Sequence, residues 1–360
     1  MKFLYVLFLG ILLCDLSFGQ IVALKSPNNK IEAVLFNDDN SGLWYLKVNY
    51  QTENQKIEAI LEIRLGLTRS DQDFSKQLKF LKAGKQTFIN EQYTAIHGKR
   101  SQCSNQANEV VLAFENPSKA KMNLIVRAYN DGLAFRYEFP EKEGDFTISN
   151  ELTSYLIPDS TQRWLQKFDL SNEGLYKETN NANDKGDWTY PALFKTNENT
   201  CWYLVHEADV DRTYCASKLS NHAQNNSYKV TLPYDHEGEG EALTKISLPW
   251  KSPWRVIIMG QLSDIVESTL IDDVSKPSVL TNTDWIQPGV ASWNYWSDNH
   301  GTRDYQTVCK FTDLAAAMDW PYTLFDWEWD AMTNGGNVED AANYAVSKGV
   351  KPLIWYNSGM

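Results

Sequence analysis

An all-β half followed by the opening of a parallel α/β barrel is the fold class the sequence predicts, and three observations predict it. From Ile21 to about Trp254, short runs rich in β-branched and aromatic residues alternate with turn clusters, with no long helical pattern between them. After Gln287-Pro288-Gly289 the rhythm becomes strand, helix, strand, helix, strand. The strands of this second half are apolar on both faces, as expected of strands covered by helices or closed into a barrel. With 42% hydrophobic and 22% charged residues, the composition excludes collagen, a disordered tail and a coiled coil. The formal charge of −12 argues against non-specific nucleic-acid binding, which needs a basic field to neutralise phosphates.

Taken in order, the chain opens with the basic start Met1-Lys2-Phe3, the apolar run Leu4 to Leu13 and the small residues of Ser17-Phe18-Gly19. This is the pattern of a secretory signal peptide over residues 1–19, and it predicts a secreted or periplasmic mature chain. The run is too short for a permanent membrane span, and no later stretch of 18 apolar residues follows. Cys14 raises lipidation, but Leu13 stands where lipoprotein processing prefers a small residue. Residues 20–275 read as one large β-sandwich domain. Its predicted strands include Ile31–Phe36, Leu43–Tyr50, Val110–Glu115, Asn123–Tyr129, Leu133–Phe139, Cys201–His206 and Tyr228–Leu232. Asn130-Asp131-Gly132 between two of these runs predicts a hairpin. A helical stretch from Leu262 to about Ser275 ends the domain, and residues 276–288, with Lys276-Pro277 and Pro288, form a linker.

Residues 289–360 read as strand Val290–Tyr295, helix Tyr305–Met318, strand Tyr322–Asp326, helix Val338–Ser347 and strand Val350–Tyr356. About 70 residues follow Pro288, whereas a (β/α)8 barrel needs roughly 250. Three strands and two helices would leave a raw sheet edge and an open core. The expectation is therefore the first part of a TIM barrel, from a larger enzyme, rather than a small α/β unit completed by a partner. The four cysteines after the leader, Cys103, Cys201, Cys215 and Cys309, lack CxxC spacing, so a zinc site is not expected. Cys201 and Cys215 flank an expected hairpin and fit either a disulfide or two free thiols.

Aromatic residues are abundant: 13 Trp, 18 Tyr and 15 Phe. They fit an aromatic β core or surfaces on which rings stack against sugars. The densest chemistry lies in Phe325-Asp326-Trp327-Glu328-Trp329-Asp330, at the C-terminal end of the second barrel-type strand, where barrel enzymes build their sites. Carboxylates accept hydroxyl hydrogen bonds and indole faces pack on C–H surfaces, so Asp326 and Glu328 are candidates for contact with a polyhydroxylated ligand. Trp293, Tyr295 and Trp296 at the first strand end, and Asn357 at the third, would converge on the same rim. A second acidic cluster, His206-Glu207-Ala208-Asp209 with Asp211, suits an oxygen-loving cation such as calcium, or is a solvated acidic turn. Glu173 and Glu178, near Trp164 and Tyr176, form a similar aromatic-acidic patch. No HExxH, GxSxG, phosphate loop or dinucleotide fingerprint is present.

Several segments, in this order, resemble glycoside hydrolase family 97, a family of secreted α-glucosidases and α-galactosidases. They include the Arg127 to Tyr137 run, Glu207-Ala208-Asp209, Pro253-Trp254-Arg255-Val256-Ile257, Trp285-Ile286-Gln287-Pro288-Gly289, Trp293-Asn294-Tyr295-Trp296, Asp326-Trp327-Glu328-Trp329 and Leu353 to Gly359. The resemblance implies an N-terminal β-super-sandwich, a (β/α)8 barrel and a small C-terminal β domain. It implies an oligosaccharide or α-glycoside substrate and a calcium ion (Ca2+) held by glutamates at the active-site rim, one of them matching Glu207. Asp326 resembles an acid lining the sugar pocket. The catalytic carboxylates of the family come from later strands, so they are expected beyond residue 360 and no residue here takes those roles. The chain by itself is then expected to bind sugar weakly or not at all and to lack turnover. The competing function is a non-catalytic carbohydrate-binding protein, with a scaffold whose aromatics are all core as a third reading.

Overall fold

The computed structural model describes residues 20–38, 41–179, 184–196, 201–224, 226–237 and 243–356. The expected leader with Cys14, and Asn357, lie outside the described residues. Two compact units emerge, one drawn from Met1–Tyr93 and Gln102–Pro277, the other from Thr94–Ser101 and Ser278–Met360.

The first unit is all-β apart from two short helices. An eight-stranded sheet runs in the spatial order 20–25, 31–38, 43–51, 56–64, 154–156, 227–231, 218–220, 187–188. An eleven-stranded sheet carries the strands 177–179, 162–165, 192–195, 202–208, 254–260, 132–139, 121–129, 102–115 and 79–83 along its main path. Pairing within both is antiparallel. Strands such as Ile31–Asp38 and Trp202–Ala208 alternate buried with half-buried positions, so each offers one apolar face to a common core. That core joins Val48, Ile60 and Ile63 of the eight-stranded sheet to Leu124, Phe135 and Tyr203 of the eleven-stranded one. Each such fully buried apolar side chain contributes roughly 1.5–3 kcal/mol relative to exposure.

The strand Trp254–Gly260 is buried at every position. Ile257 and Met259 enter the main core, while Val256 and Ile258 pack with Ile265 and Leu270 of the helices Leu262–Glu267 and Leu270–Val274. The single helical stretch expected over 262–275 is thus two short helices covering the outer face of the sheet. The hairpin at Asn130-Asp131 forms as expected, with Tyr129 opposite Gly132. Neither turn residue has positive φ. The glycine serves closeness instead, because a Cβ there would lie 2.4 Å from the Ile257 carbonyl oxygen. The strand 202–208 lies between 192–195 and 254–260, so Cys201 and Cys215 do not flank a hairpin. None of the four described cysteines is in a disulfide, and burial pushes the Cys201 thiol up to about 12.

In the second unit three short strands, Ala291–Trp293, Tyr322–Phe325 and Lys351–Ile354, form a parallel sheet in chain order. The helices Tyr305–Ala317 and Val338–Ser347 connect them. Asp304 caps the first by accepting from the Thr307 amide, and Asn337 caps the second by accepting from the Glu339 and Asp340 amides, satisfying orphan N–H groups of each first turn. Phe325 packs with Val308, Met332 and Ala341 on the helix side. Register and alternation send Trp293, Leu324 and Leu353 to the opposite face, where Trp293 and Leu353 are exposed. Among the described residues, no helix is long and apolar enough to cross a membrane.

Candidate active site

The C-terminal ends of the parallel strands gather the aromatic and acidic side chains expected to form a sugar site. Trp293, closing the first strand, donates its indole N–H to Asp326 Oδ2 at 2.5 Å. Asp326, just past the second strand and 9% exposed, accepts its own neighbour's amide, Trp327 N, on Oδ1 at 2.5 Å. Both oxygens therefore receive N–H donors, which suits an ionised carboxylate that still has lone pairs for hydroxyl donors. Trp296 lies against Trp293 with ring centroids 4.9 Å apart, and is 84% exposed. At the third strand end, the Trp355 carbonyl accepts from Trp329 Nε1 at 2.9 Å, and Tyr356 meets the Trp329 ring edge-on at 5.4 Å. Asn357 cannot be added to this rim, because it lies outside the described residues.

The loop after the first strand is ordered by its own polar contacts. Asn294 is buried; its carbonyl accepts from the Ser297 and Asp298 amides, and its side chain accepts from Thr302 Oγ1 at 3.2 Å. This brings His300 and Arg303 to Glu328, which starts the short turn after the second strand. Glu328 Oε2 takes His300 Nδ1 at 2.7 Å, and Oε1 accepts from Arg303 Nη2. Glu328 is only 6% exposed, so both of its oxygens are committed inside the unit instead of lying open to a ligand. Tyr295, Trp327 and the His300 ring form a cluster, with centroids 5.8 Å from Tyr295 to His300, 6.5 Å from Trp327 to His300 and 6.4 Å from Tyr295 to Trp327. His300 and Arg303 were not signalled by the sequence. They sit in a loop with no periodicity, and only the hydrogen-bonded fold of that loop brings them to Glu328.

The second acidic cluster is paired off against protein cations, with Asp209 and Asp211 both reaching Lys276. Glu207 is buried, accepting from the Ser217 amide at 3.0 Å, Ser217 Oγ at 2.7 Å and Arg255 Nη1 at 2.6 Å. Arg255 is fully buried and also forks onto Glu151 at 2.8 and 2.6 Å, with Tyr214 O–H bonded to Glu151. Burial works against the Glu151 charge, but Arg255 outweighs it and the carboxyl titrates below its ordinary value. Asp209 pairs with Arg136, and Asp211 with Lys276 at 2.7 Å. Partial burial raises the Asp211 carboxyl, yet Lys276 and Thr213 bring it down to about 2. His206 stacks on Tyr190 at 5.8 Å, and burial lowers its affinity for a proton. Each acid is matched to protein cations, and among the described residues no group of three His, Cys, Asp or Glu could hold a metal ion. These residues do not fit a calcium site by themselves. The Glu178 patch is likewise a sheet contact: Trp164 stacks on Trp202 at 5.1 Å, and Glu178 accepts from Gln162.

Against this geometry, the family model for the glycosyl-hydrolase 97 N-terminal domain matches residues 24–277. The chain belongs to glycoside hydrolase family 97. A protein of Streptomyces bingchenggensis (strain BCW-1), named "Probable retaining alpha-galactosidase", is 27% identical over 305 residues, covering 81% of this chain and 46% of that protein. The crystal structure of a beta-arabinopyranosidase superimposes with a TM-score of 0.86 at 29% identity, over 95% of this chain and 56% of the other. A family 97 enzyme from Pseudoalteromonas sp. strain K8 gives a TM-score of 0.77 at 22% identity, over 92% of this chain and 53% of the other. The chain thus spans about half the length of the relatives it matches.

Proposed function

We propose that this family 97 chain carries the N-terminal domain and the first three strands of a (β/α)8 barrel of an exported glycosidase. Its substrates would be α-linked glycosides of galactose-configured pyranoses. The observation that carries this reading is the Trp293–Asp326 contact, with Trp296 and Trp327 beside it, at the C-terminal ends of adjacent parallel strands. An apolar sheet face turned away from the helices and two sheet edges unpaired among the described residues support a sheet continued by further βα units. Two of the named relatives, the more similar ones, support galactose over glucose: an α-D-galactopyranoside and a β-L-arabinopyranoside share their ring configuration and differ in the exocyclic hydroxymethyl group, whereas the Pseudoalteromonas enzyme, solved with panose and with acarbose, points to glucose.

In such a site Trp293 and Trp296 offer flat faces to the C–H surface of a pyranose, and Asp326 accepts hydroxyl protons while fixing the plane of Trp293. Hydrolysis requires two carboxylates across the scissile bond, which we assign to strands carried by the half of the relatives that this chain does not span. A calcium ion would draw on this chain through Glu207, whose oxygens already accept from Arg255 and Ser217. The test is binding and turnover by the 360-residue chain. Methyl α-D-galactopyranoside should perturb tryptophan emission, the Trp293→Ala variant should lose that response, and p-nitrophenyl α-D-galactopyranoside should not be hydrolysed. A wild-type chain that binds no galactose-configured sugar, or turns over the nitrophenyl glycoside unaided, would contradict the assignment.

A further inference from the structure

We propose that His300 is a hydroxyl-recognising residue of the sugar site, with Glu328 and Arg303 as the positioning residues that hold its ring in one tautomer. This rests on the glycoside reading above and deepens it. An ionised carboxylate only accepts, so the 2.7 Å contact with Glu328 Oε2 puts the imidazole proton on Nδ1. In the neutral ring Nε2 is then left with its lone pair outward. That nitrogen makes no hydrogen bond among the described residues, and the His300 side chain is 48% exposed. The chemistry it presents is an acceptor for a hydroxyl proton, beside the ring of Trp327, the residue that follows Asp326 in the chain. Arg303 completes the device by neutralising the otherwise buried Glu328 charge.

Backbone conformation points the same way. His300 and Glu328 both adopt the left-handed region, with φ of 63° and 74°, which side-chain-bearing residues avoid at a cost of about 1 kcal/mol or more each. Two such residues facing each other across one hydrogen bond persist where the surroundings over-determine them, and such strain clusters at ligand sites. A simple loop staple would need the Glu328–Arg303 pair alone. It would not need a half-exposed imidazole grouped with the Tyr295 and Trp327 rings, the Tyr295 hydroxyl 3.4 Å from the same Nδ1, with Nε2 unused.

The experiment uses the 360-residue chain, with its histidines labelled with nitrogen-15, titrated with methyl α-D-galactopyranoside. The free protein should show His300 protonated on Nδ1 and bare on Nε2, and the Nε2 resonance should move as sugar binds. His300→Ala should weaken binding about tenfold, the size of one lost hydrogen bond, while His300→Gln, which keeps an acceptor, should stay within about threefold of wild type. Glu328→Gln, whose amide both donates and accepts, should give a mixture of tautomers and weaker binding, a spectral change that a purely structural role would not produce. A proton on Nε2, or a His300→Ala chain that binds sugar as wild type does, overturns this inference and leaves the glycoside reading intact. A wild-type chain that binds no sugar overturns both.

Discussion

The same residue types do opposite work in the two units. In the sandwich, Glu151 and Glu207 bracket the fully buried Arg255, and all three spend their hydrogen bonds on one another, on Tyr214 and on Ser217. At the parallel strand ends, Asp326 and Glu328 are as well buried, but their partners are an indole, an amide, a half-exposed histidine and a half-exposed arginine. A carboxylate closed in by a buried guanidinium is part of the scaffold. One whose partners reach the surface positions those partners for a ligand. Burial alone does not separate scaffold from site; the exposure of the partners does.

The largest expected effect tests the scaffold half of that contrast. Arg255→Met should destabilise the first unit by roughly 3–5 kcal/mol, because it strands two buried carboxylates without a counter-charge. Denaturant unfolding measures it, and a loss below about 1 kcal/mol would mean that these acids reach water or another cation. A smaller effect separates two buried acids within the same unit. Burial, with Asp131 and Asp272 nearby, raises the Asp273 carboxyl to about 6 despite its bonds from Tyr93 and Thr269. The folded state therefore holds this proton more tightly than the unfolded chain does. The contribution stabilises at low pH and is lost as pH rises from about 4 to about 6, by at most about 3 kcal/mol. Glu151, lowered by Arg255, works the other way: its contribution is present above the unfolded value and is lost on acidification. Asp273→Asn should flatten the fall between pH 4 and pH 6, seen in melting curves across that range, and leave the acid limb in place.

At the site, Trp293→Ala should weaken galactoside binding about tenfold, as loss of one stacking platform, with the melting point of the first unit unchanged; fluorescence titration and calorimetry read the two parts separately. The smallest expected effect is none. Calcium or a chelator should leave the melting point of this chain where it is, since a stabilising ligand must bind the folded state and Glu207 is already matched to Arg255. A calcium-dependent rise abolished by Glu207→Ala would move Glu207 from scaffold to site.

The periodic parts of the chain were legible in advance. The helix over Val338–Ser347 and the parallel pairing of 322–325 with its neighbours follow from apolar spacing and helix caps. The convergence of Trp293 on Asp326 follows from both standing at the ends of adjacent strands. The strand 254–260 escaped a reading by alternation because Val256–Met259 is a continuous apolar run buried on both sides, and such a run does not distinguish a strand from a buried helix. The acidic run from Glu207 to Asp211 misled for a different reason. The strand ends at Ala208, so Glu207 is held in the sheet while Asp209 and Asp211 lie beyond it, and Arg255, Arg136 and Lys276 came from distant segments to meet these acids, Lys276 reaching both aspartates.

What the sequence determined by itself was the alternation of element types, the change from antiparallel to parallel rhythm near Pro288, and which strand ends carry indoles and acids. Those are properties of local spacing, written within a few residues of where they act. Which carboxylate is neutralised by a guanidinium, and which is held by Trp293 or by His300, was decided only by tertiary structure. Partner choice depends on the handful of side chains brought within hydrogen-bond reach by packing, and residues 48 or 104 positions apart, as Arg255 is from Glu207 and Glu151, leave no mark of that meeting in the linear order.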